Sequence, residues 1–430
     1  MTVTPPVRAR RVHYAWVVFA TAFVTLLGAA GFRSTPAILI DPLRDEFGWS
    51  RATVGLAVSI NVLLFGLIGP FAAALQLRYG LRRVTIVALL AISLGALGTT
   101  QMTETWHLFL LWGVVVGLGS GCMATVFAST VASRWFVARR GLVLGALTAA
   151  TASGQLVFLP FLSRLADGMG WRWVGLAIAI SALAVVPMVA LFLRDNPADV
   201  GLLPYGATEQ PPAPSSDREV RPVHAAFSAL GDAWRSGTFW LLFGSFFVCG
   251  LSTNGLIQTH FISAAHDHHI AAGMAATYLA FIGVFDVIGT IGSGLLTDRY
   301  DPRRLLVIYY TFRGLSLLVI DPALAAQGAG LFGFMAFYGL DWVATVPPTV
   351  ALCINQFGIS RGPLVYGWVF AGHQAGAAVA AWGAGEIRDI TGSYRPAFIA
   401  AGIACIIAAA GVTRIKHHTN QPIPAVAVPS

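Results

Sequence analysis

Twelve apolar runs, most of them about 20 residues long, constrain the fold of this chain more than any other feature. A run of that length crosses a bilayer as one α-helix, which satisfies all its backbone polar groups internally. We therefore expect an all-α membrane protein. The runs, called spans 1 to 12 below, are 14–37, 52–76, 84–101, 106–131, 141–163, 173–193, 238–261, 272–297, 305–325, 328–352, 363–385 and 396–413.

The composition agrees with a surface that meets lipid. Hydrophobic residues make up 56% of the chain and charged residues 11%, whereas soluble globular proteins carry about 25% charged residues. The net charge of +8 comes mostly from arginines in the short gaps between spans, and no basic block is interleaved with aromatic residues. Nucleic acid is therefore not expected as a partner. The basic N-terminus leads into an apolar run too long for a signal peptide, so that run is predicted to be the first membrane helix.

No pattern in the sequence predicts a metal site or catalysis. The four cysteines, Cys122, Cys249, Cys353 and Cys405, are scattered inside apolar runs and show no metal-binding spacing. The HDHH segment at 266–269 resembles a metal box, but a short outer loop is the simpler interpretation. There is no phosphate loop, serine elbow or HExxH motif. We expect no enzyme activity, no cofactor and no bound metal.

One long polar stretch divides the spans into six and six. It covers about 194–236 and contains QPPAPSSDREVRP, whose proline, serine and charge content is typical of a linker. We therefore predict an N-terminal half, 1–193, and a C-terminal half with its tail, 237–430.

The placement of arginine and lysine predicts the orientation. With the N-terminus in the cytoplasm, the inner loops hold 19 of the 27 basic residues and the outer loops hold six. Short loops rich in arginine and lysine remain on the cytoplasmic side. We expect both termini and the central linker inside, in a bacterial inner (plasma) membrane.

The two halves repeat each other at a nearly constant offset. QLRYGLRR at 76–83 matches TDRYDPRR at 297–304, 221 residues later. Five further matches occur at an offset of 222, and they are Arg139, Gly145, Gly154, Asp167 and Gly170 with Arg361, Gly367, Gly376, Asp389 and Gly392. Such repeats indicate duplication of a six-helix unit, as in many transporters.

With these features the chain resembles the major facilitator superfamily over its whole length. The resemblance implies the major facilitator fold, with 12 transmembrane helices in two six-helix halves. It also includes the loop motif that follows spans 2 and 8, which in that family is a gating latch outside the substrate site. In the second half the motif consists of Gly294, Asp298, Arg299, Arg303 and Arg304. The first-half copy has Ala73 for the glycine and Leu77 for the aspartate, which implies a weaker latch there.

Within the superfamily the chain is most similar to the monocarboxylate and oxalate transporter branch. The similarity lies in GFRSTPAILIDPLRDEFGWSRA at 31–52, RWFVARRGLVLG at 134–145 and FDVIGTIGSGLL at 285–296. In that branch an arginine facing the substrate carboxylate follows the span 8 aspartate by four residues. Here Asp286 is present, but Thr290 stands at the later position.

Four charged residues lie well inside spans, where a charge near the bilayer centre costs about 2.5–3.5 kcal/mol. Arg33 occupies the position of a functional lysine in the monocarboxylate branch, and the alternative is an arginine that reaches the outer interface. Asp286 is the candidate for the coupled proton, because an arginine cannot lose its proton in a protein. The alternative for Asp286 is a permanently ionised partner of an arginine. Arg313 and Asp341 are expected to form a structural pair.

Four uncharged polar residues complete the candidate site. His373 and Gln374 lie in the middle of span 11, and the histidine is either a satisfied core residue or part of a proton relay. Asn254 and Gln258 are four residues apart in span 7 and share a face. They could hydrogen-bond a solute or a neighbouring helix.

Three functions are compatible with these residues. The leading hypothesis is a proton-coupled secondary transporter of a small organic anion, working by alternating access as a monomer, with solute, protons and lipid as its partners. The second is an exporter of apolar or cationic compounds, which the absence of the span 8 arginine favours. The third, a receptor or membrane enzyme, requires a soluble domain or a catalytic set that the sequence does not show.

Overall fold

The computed structural model describes residues 12–49, 51–209 and 222–416. Nearly all of these residues are helical, and the described part contains an isolated β-bridge between Phe136 and Tyr205 but no strand. The predicted all-α class and the two-half architecture are confirmed.

The N-terminal half consists of six helical spans. Spans 1 to 6 are Tyr14–Phe47, Arg51–Leu67 with Gly69–Tyr79, Leu81–Thr99, Thr105–Trp135, Arg140–Met169 and Trp171–Phe192.

The C-terminal half repeats this arrangement. Spans 7 to 9 are Gly237–Asp267, Ala272–Thr297 and Pro302–Ala326. Span 10 is Ala329–Asp341 together with the first part of Val346–Thr391, and span 11 is the rest of that helix after a kink at Gly358. Span 12 is Arg395–Val412.

Length and apolar surface identify these helices as membrane-spanning. Within the described residues, eight helices are long and apolar enough to cross a bilayer, or nine if the bent span 2 counts as one. One of the eight, Ala329–Thr391, contains both span 10 and span 11. Large apolar side chains such as Leu94, Phe337 and Trp382 are more than half exposed, as expected for a surface that meets lipid.

Several spans are interrupted. Span 2 bends by 52° between its two segments, and Pro70 is the second residue of the second segment. Span 10 is broken at 342–345, just before Pro347 and Pro348. Spans 4 and 7 each contain a widened π-helical stretch, Leu108–Val116 and Leu251–Gln258. Interruptions of this kind are common at functional positions in membrane helices.

The halves meet along two pairs of spans. Span 5 packs on span 8, and span 2 packs on span 11. Within the halves, span 1 packs on spans 5 and 6, span 7 on span 11, and span 9 on span 12. The loops after spans 2, 4, 8 and 10 lie at the same end of the bundle and, with the helix ends that they join, carry ten of the 26 arginines. We call that end the basic face.

The predicted linker contains a helix that the sequence analysis missed. Pro222–Trp234 lies at the basic face, packs against spans 2 and 11 and leads into span 7. Its buried side is formed by Ala226, Ala229 and Ala233, each at most 3% exposed. This helix therefore belongs to the packed bundle.

Candidate functional site

The loop motif after span 8 makes a direct contact between the halves. The N–H of Gly141 donates to Asp298 Oδ1 at 2.6 Å, and the N–H of Leu142 donates to Oδ2 at 2.9 Å. Asp298 thus binds the free amides at the N-terminus of span 5, where a carboxylate is favoured by the helix dipole. Partial burial raises the pKa of Asp298 above its usual value, while the two amides and the nearby Arg140 act to lower it.

Glycines bring spans 5 and 8 into close contact behind this carboxylate. A Cβ on Gly145 would lie 2.6 Å from the carbonyl oxygen of Thr290 and 3.0 Å from Cα of Gly294. A Cβ on Gly294 would collide with the carbonyl oxygen of Gly141. The halves are therefore closed against each other at the basic end of this pair of spans.

The arginines of the motif have other positions. Arg303 pairs with Asp301 at 2.5 Å and donates through Nη1 to the carbonyl oxygen of Ile415 at 3.0 Å, which ties the loop to the end of span 12. Arg299 and Arg304 are exposed.

Spans 2 and 11 are closed at the same end. A Cβ on Gly367 would lie 2.5 Å from the backbone nitrogen of Pro70, and a Cβ on Gly66 would lie 2.5 Å from Cγ of Gln374. Gln374 is 6% exposed and thus lies at the interface between the halves. With both pairs of spans in contact, the structure has its basic face closed.

Asp286 lies inside the C-terminal half, against the break in span 10. Its Oδ1 accepts a hydrogen bond from Thr290 Oγ1 at 2.9 Å and another from the N–H of Val343 at 3.0 Å. Asp286 is 3% exposed and Thr290 is fully buried. The carboxylate therefore binds a backbone amide that the interrupted helix leaves free.

Arg313 binds the other side of the same break. Its Nε donates to Asp341 Oδ2 at 2.7 Å, and its Nη2 donates to the carbonyl oxygens of Asp341 at 2.5 Å and Trp342 at 2.9 Å. Its Nη1 lies 2.9 Å from Cys249 Sγ. Arg313 is 0% exposed, so the ion pair with Asp341 is a buried one.

Two more side chains bind the broken segment. Ser293 Oγ donates to the carbonyl oxygen of Ala344 at 2.5 Å, and Cys249 Sγ lies 3.3 Å from Thr345 Oγ1. Side chains from spans 7, 8 and 9 thus satisfy backbone or hydroxyl groups along residues 341–345. Buried irregular backbone requires such partners, because an unsatisfied polar group in an apolar interior is costly. The Asp286–Arg313–Asp341 cluster is therefore the support of a discontinuous helix.

The uncharged candidates have different environments. The ring of His373 stacks on Phe370 and lies 5.0 Å, between ring centroids, from Phe246. Asn254 is half-buried and Gln258 exposed, and both lie in the widened stretch of span 7. Of the candidates, the structure brings together Asp286, Thr290, Arg313 and Asp341. The side chain of Arg33 lies outside the described residues, so its position relative to Asp286 is still a prediction.

The HDHH segment is divided between an ion pair and a hydrogen bond. Asp267 binds Arg388 at 2.8 Å, and His268 Nε2 lies 3.2 Å from Asp321 Oδ1. Within the described residues no group of three histidine, cysteine or acidic side chains is placed to hold a metal ion. The segment therefore links the loop between spans 7 and 8 to spans 9 and 11.

The supporting role of Cys249, Ser293 and the Val343 amide was missed by the sequence analysis. The available signal was the pair Pro347–Pro348, since a proline inside an apolar run lacks the N–H that continues a helix and so indicates an interruption. Residue type alone does not indicate which side chains reach the freed backbone groups.

Curated relatives share most of their length with this chain. The uncharacterised MFS-type transporter YcxA of Bacillus subtilis (strain 168) is 26% identical over 390 residues, which are 88% of this chain and 90% of YcxA. Monocarboxylate transporter 13 of Rattus norvegicus is 26% identical over 409 residues, which are 93% of this chain and 88% of the rat protein.

Solved structures show the same architecture. The proton:xylose symporter XylE aligns with a TM-score of 0.70 at 14% identity, covering 94% of this chain and 96% of XylE. At that identity the likeness shows the fold alone. Residues 18–358 match the sequence profile of the Major Facilitator Superfamily. The chain belongs to the Major Facilitator Superfamily of membrane transporters.

Proposed function

We propose that this protein is a proton-coupled secondary transporter of a small carboxylate-like anion, working by alternating access in a bacterial plasma membrane. The observation that carries the proposal is Asp286, a buried carboxylate that binds the free amide of Val343 at the break in span 10. A group with two protonation states at that position can couple a proton to a change in a discontinuous helix. Arg313 and Asp341 already form a pair, so Asp286 is the carboxylate available to exchange a proton.

The anionic character of the solute rests on sequence similarity. Relatives that cover most of this chain are named monocarboxylate transporters 13 and 11, and Arg33 stands where that branch carries a functional lysine. Thr290 replaces the arginine of that branch and donates to Asp286. We infer that the solute is a carboxylate different from the simple monocarboxylates that such an arginine would bind.

The basic face is the cytoplasmic one in this proposal. It carries the arginine-rich loops, which remain inside by the positive-inside rule. Both termini and the 194–236 linker between the two halves then lie in the cytoplasm. The structure, closed at its basic face, corresponds to the stage of the cycle in which the cytoplasmic exit is shut.

A transport screen tests the solute class. Purified protein in liposomes is assayed for uptake of labelled mono-, di- and hydroxycarboxylates, with and without an inward proton gradient. We expect uptake of at least one acid, increased by the gradient and lost in Arg33→Ala. Arg172→Ala is the matched control, because Arg172 forms an exposed ion pair with Glu46.

Two results would contradict the proposal. Normal uptake of the identified acid by Arg33→Ala would refute the anion site. Transport of apolar or cationic compounds, with no acid transported either with or without the proton gradient, would favour the exporter instead.

A further inference from the structure

The two contacts between the halves, spans 5 with 8 and spans 2 with 11, are not equivalent at the basic face. At spans 5 and 8, Asp298 accepts hydrogen bonds from Gly141 and Leu142. By the internal repeat, Leu77 stands in place of Asp298 and Pro363 in place of Gly141. Leucine provides no acceptor and proline has no N–H. The contact between spans 2 and 11 therefore lacks both the carboxylate and one of its two amide donors.

The helix Pro222–Trp234 lies at the contact between spans 2 and 11 and is bound to span 11. Trp368 Nε1 donates to the carbonyl oxygen of Ala226 at 2.9 Å. Asp232 forms an ion pair with Arg361, the residue that matches Arg139 in the repeat. The linker helix thus places a carboxylate, that of Asp232, at the start of span 11. In a complete repeat that carboxylate would come from the end of span 2, where Leu77 now stands.

The same helix also contacts span 2. Phe227 lies 5.7 Å from the ring of Phe71 and 5.6 Å from that of Trp368, measured between ring centroids, and Phe71 lies 5.9 Å from Trp368. Phe71 belongs to the N-terminal half and Trp368 to the C-terminal half. The three rings therefore join the halves directly, and Phe227 contacts the ring from each half.

We propose that the helix Pro222–Trp234 is the latch of spans 2 and 11, replacing the missing aspartate. Phe227 is the residue that holds the two spans together, and Asp232 is a positioning residue that orients the helix through Arg361. Separating spans 2 and 11 at the basic face, which transport requires, must break the Phe71–Phe227 contact. The proposal concerns this closure and does not depend on the solute or the coupling ion.

The structure also ranks the contributions. Asp232 and Arg361 are both more than half exposed, and exposed ion pairs contribute little. Phe227 is also about half exposed, at 52%, but it contacts two aromatic rings, and aromatic pairs are worth about 0.5–1.5 kcal/mol each in addition to the apolar area that they bury. Removing the Phe227 ring should therefore weaken the latch more than removing the Asp232 carboxylate.

Distance measurements between spin labels on the full-length protein test the proposal. Labels are placed at Leu77→Cys and Ile359→Cys, which are each 38% exposed, with Cys122→Ser as background because the other three cysteines are buried. We expect Phe227→Ala to increase the population with separated labels about five- to tenfold. Asp232→Ala should increase it about two- to fivefold. Val223 is another exposed apolar residue of this helix, and Val223→Ala serves as the control. It should change the population with separated labels less than Asp232→Ala does.

A milder variant keeps the proposal testable if Phe227→Ala does not fold. Trp368→Phe keeps a ring but removes the hydrogen bond to Ala226, and we expect it to open spans 2 and 11 to about the same extent as Asp232→Ala. Phe227→Ala combined with Asp298→Asn should open the face further than either change alone, because the two latches act on different pairs of spans. If Phe227→Ala and Trp368→Phe both behave like Val223→Ala, the helix is not a latch and the proposal is wrong.

Discussion

Removing Arg313 should destabilise the protein far more than removing an exposed arginine. Arg313→Ala leaves the Asp341 carboxylate buried without its cation and deprives the carbonyl oxygens of Asp341 and Trp342 of their shared donor. Breaking a buried ion pair costs about 3–5 kcal/mol, and each unsatisfied buried carbonyl about 1–3 kcal/mol before water or relaxation compensates. We expect the free energy of unfolding to fall by about 4 kcal/mol.

The assay is unfolding of the purified protein by sodium dodecyl sulfate in mixed micelles, followed by tryptophan fluorescence. Arg172→Ala is the control, since its pair with Glu46 is 48% and 37% exposed and should be worth under about 1 kcal/mol. Arg313→Lys keeps the charge but not the planar fork that binds three oxygens, so its cost should be intermediate.

A double-mutant cycle checks the mechanism. Arg313→Gln and Asp341→Asn together should cost less than the sum of the single changes, with a coupling of about 2 kcal/mol or more. Equal costs for Arg313→Ala and Arg172→Ala, or additive single changes, would refute the view that this cluster supports span 10.

Three further predictions concern the gate and the topology. Asp298→Asn should slow transport with little effect on solute affinity, because Asp298 binds the end of span 5 and lies outside the spans; a large loss of binding with normal turnover would contradict this. Gly145→Ala should shift spin-label distances across spans 5 and 8 toward the open basic face, because its Cβ would meet backbone at 2.6 Å, whereas Gly168→Ala, with nothing within 4 Å, should leave them unchanged. Tags near Ser215 and at Ser430 should be accessible only from the cytoplasm and a label at Asp267→Cys only from outside; labelling of the linker in intact cells would overturn the orientation.

The sequence predicted the twelve spans because lipid contact demands long apolar runs. Hydropathy does not indicate where a helix ends if the helix extends beyond the lipid. Span 1 was predicted to end at residue 37, but its helix continues to Phe47 through a polar segment. The break at 342–345 lies within a single apolar run, 328–352, so average hydropathy did not detect it. Only Pro347 and Pro348 indicated the interruption.

The candidate site was predictable in its charges and less so in its contacts. Asp286, Asp298, Arg313 and Asp341 were recognisable because charges near apolar spans are rare. Their partners, however, include backbone groups of Gly141, Val343 and Trp342, and residue types do not reveal which backbone groups a fold leaves free. The linker helix was missed because proline and charged residues surround it. Its small buried residues recur at three- and four-residue spacing, which was the available signal.

Proton-driven accumulation by Asp286→Asn tests the central claim most directly. With the identified solute in liposomes, the parent protein should accumulate it against a gradient when the outside is acidic, and uptake should fall as the outside pH rises. Asp286→Asn keeps the side chain's size and an acceptor for the Val343 amide but cannot exchange a proton at these pH values. We expect it to lose accumulation and pH dependence while still exchanging labelled for unlabelled solute across the membrane. If Asp286→Asn still accumulates solute in response to the proton gradient, Asp286 does not carry the coupled proton and the account is wrong.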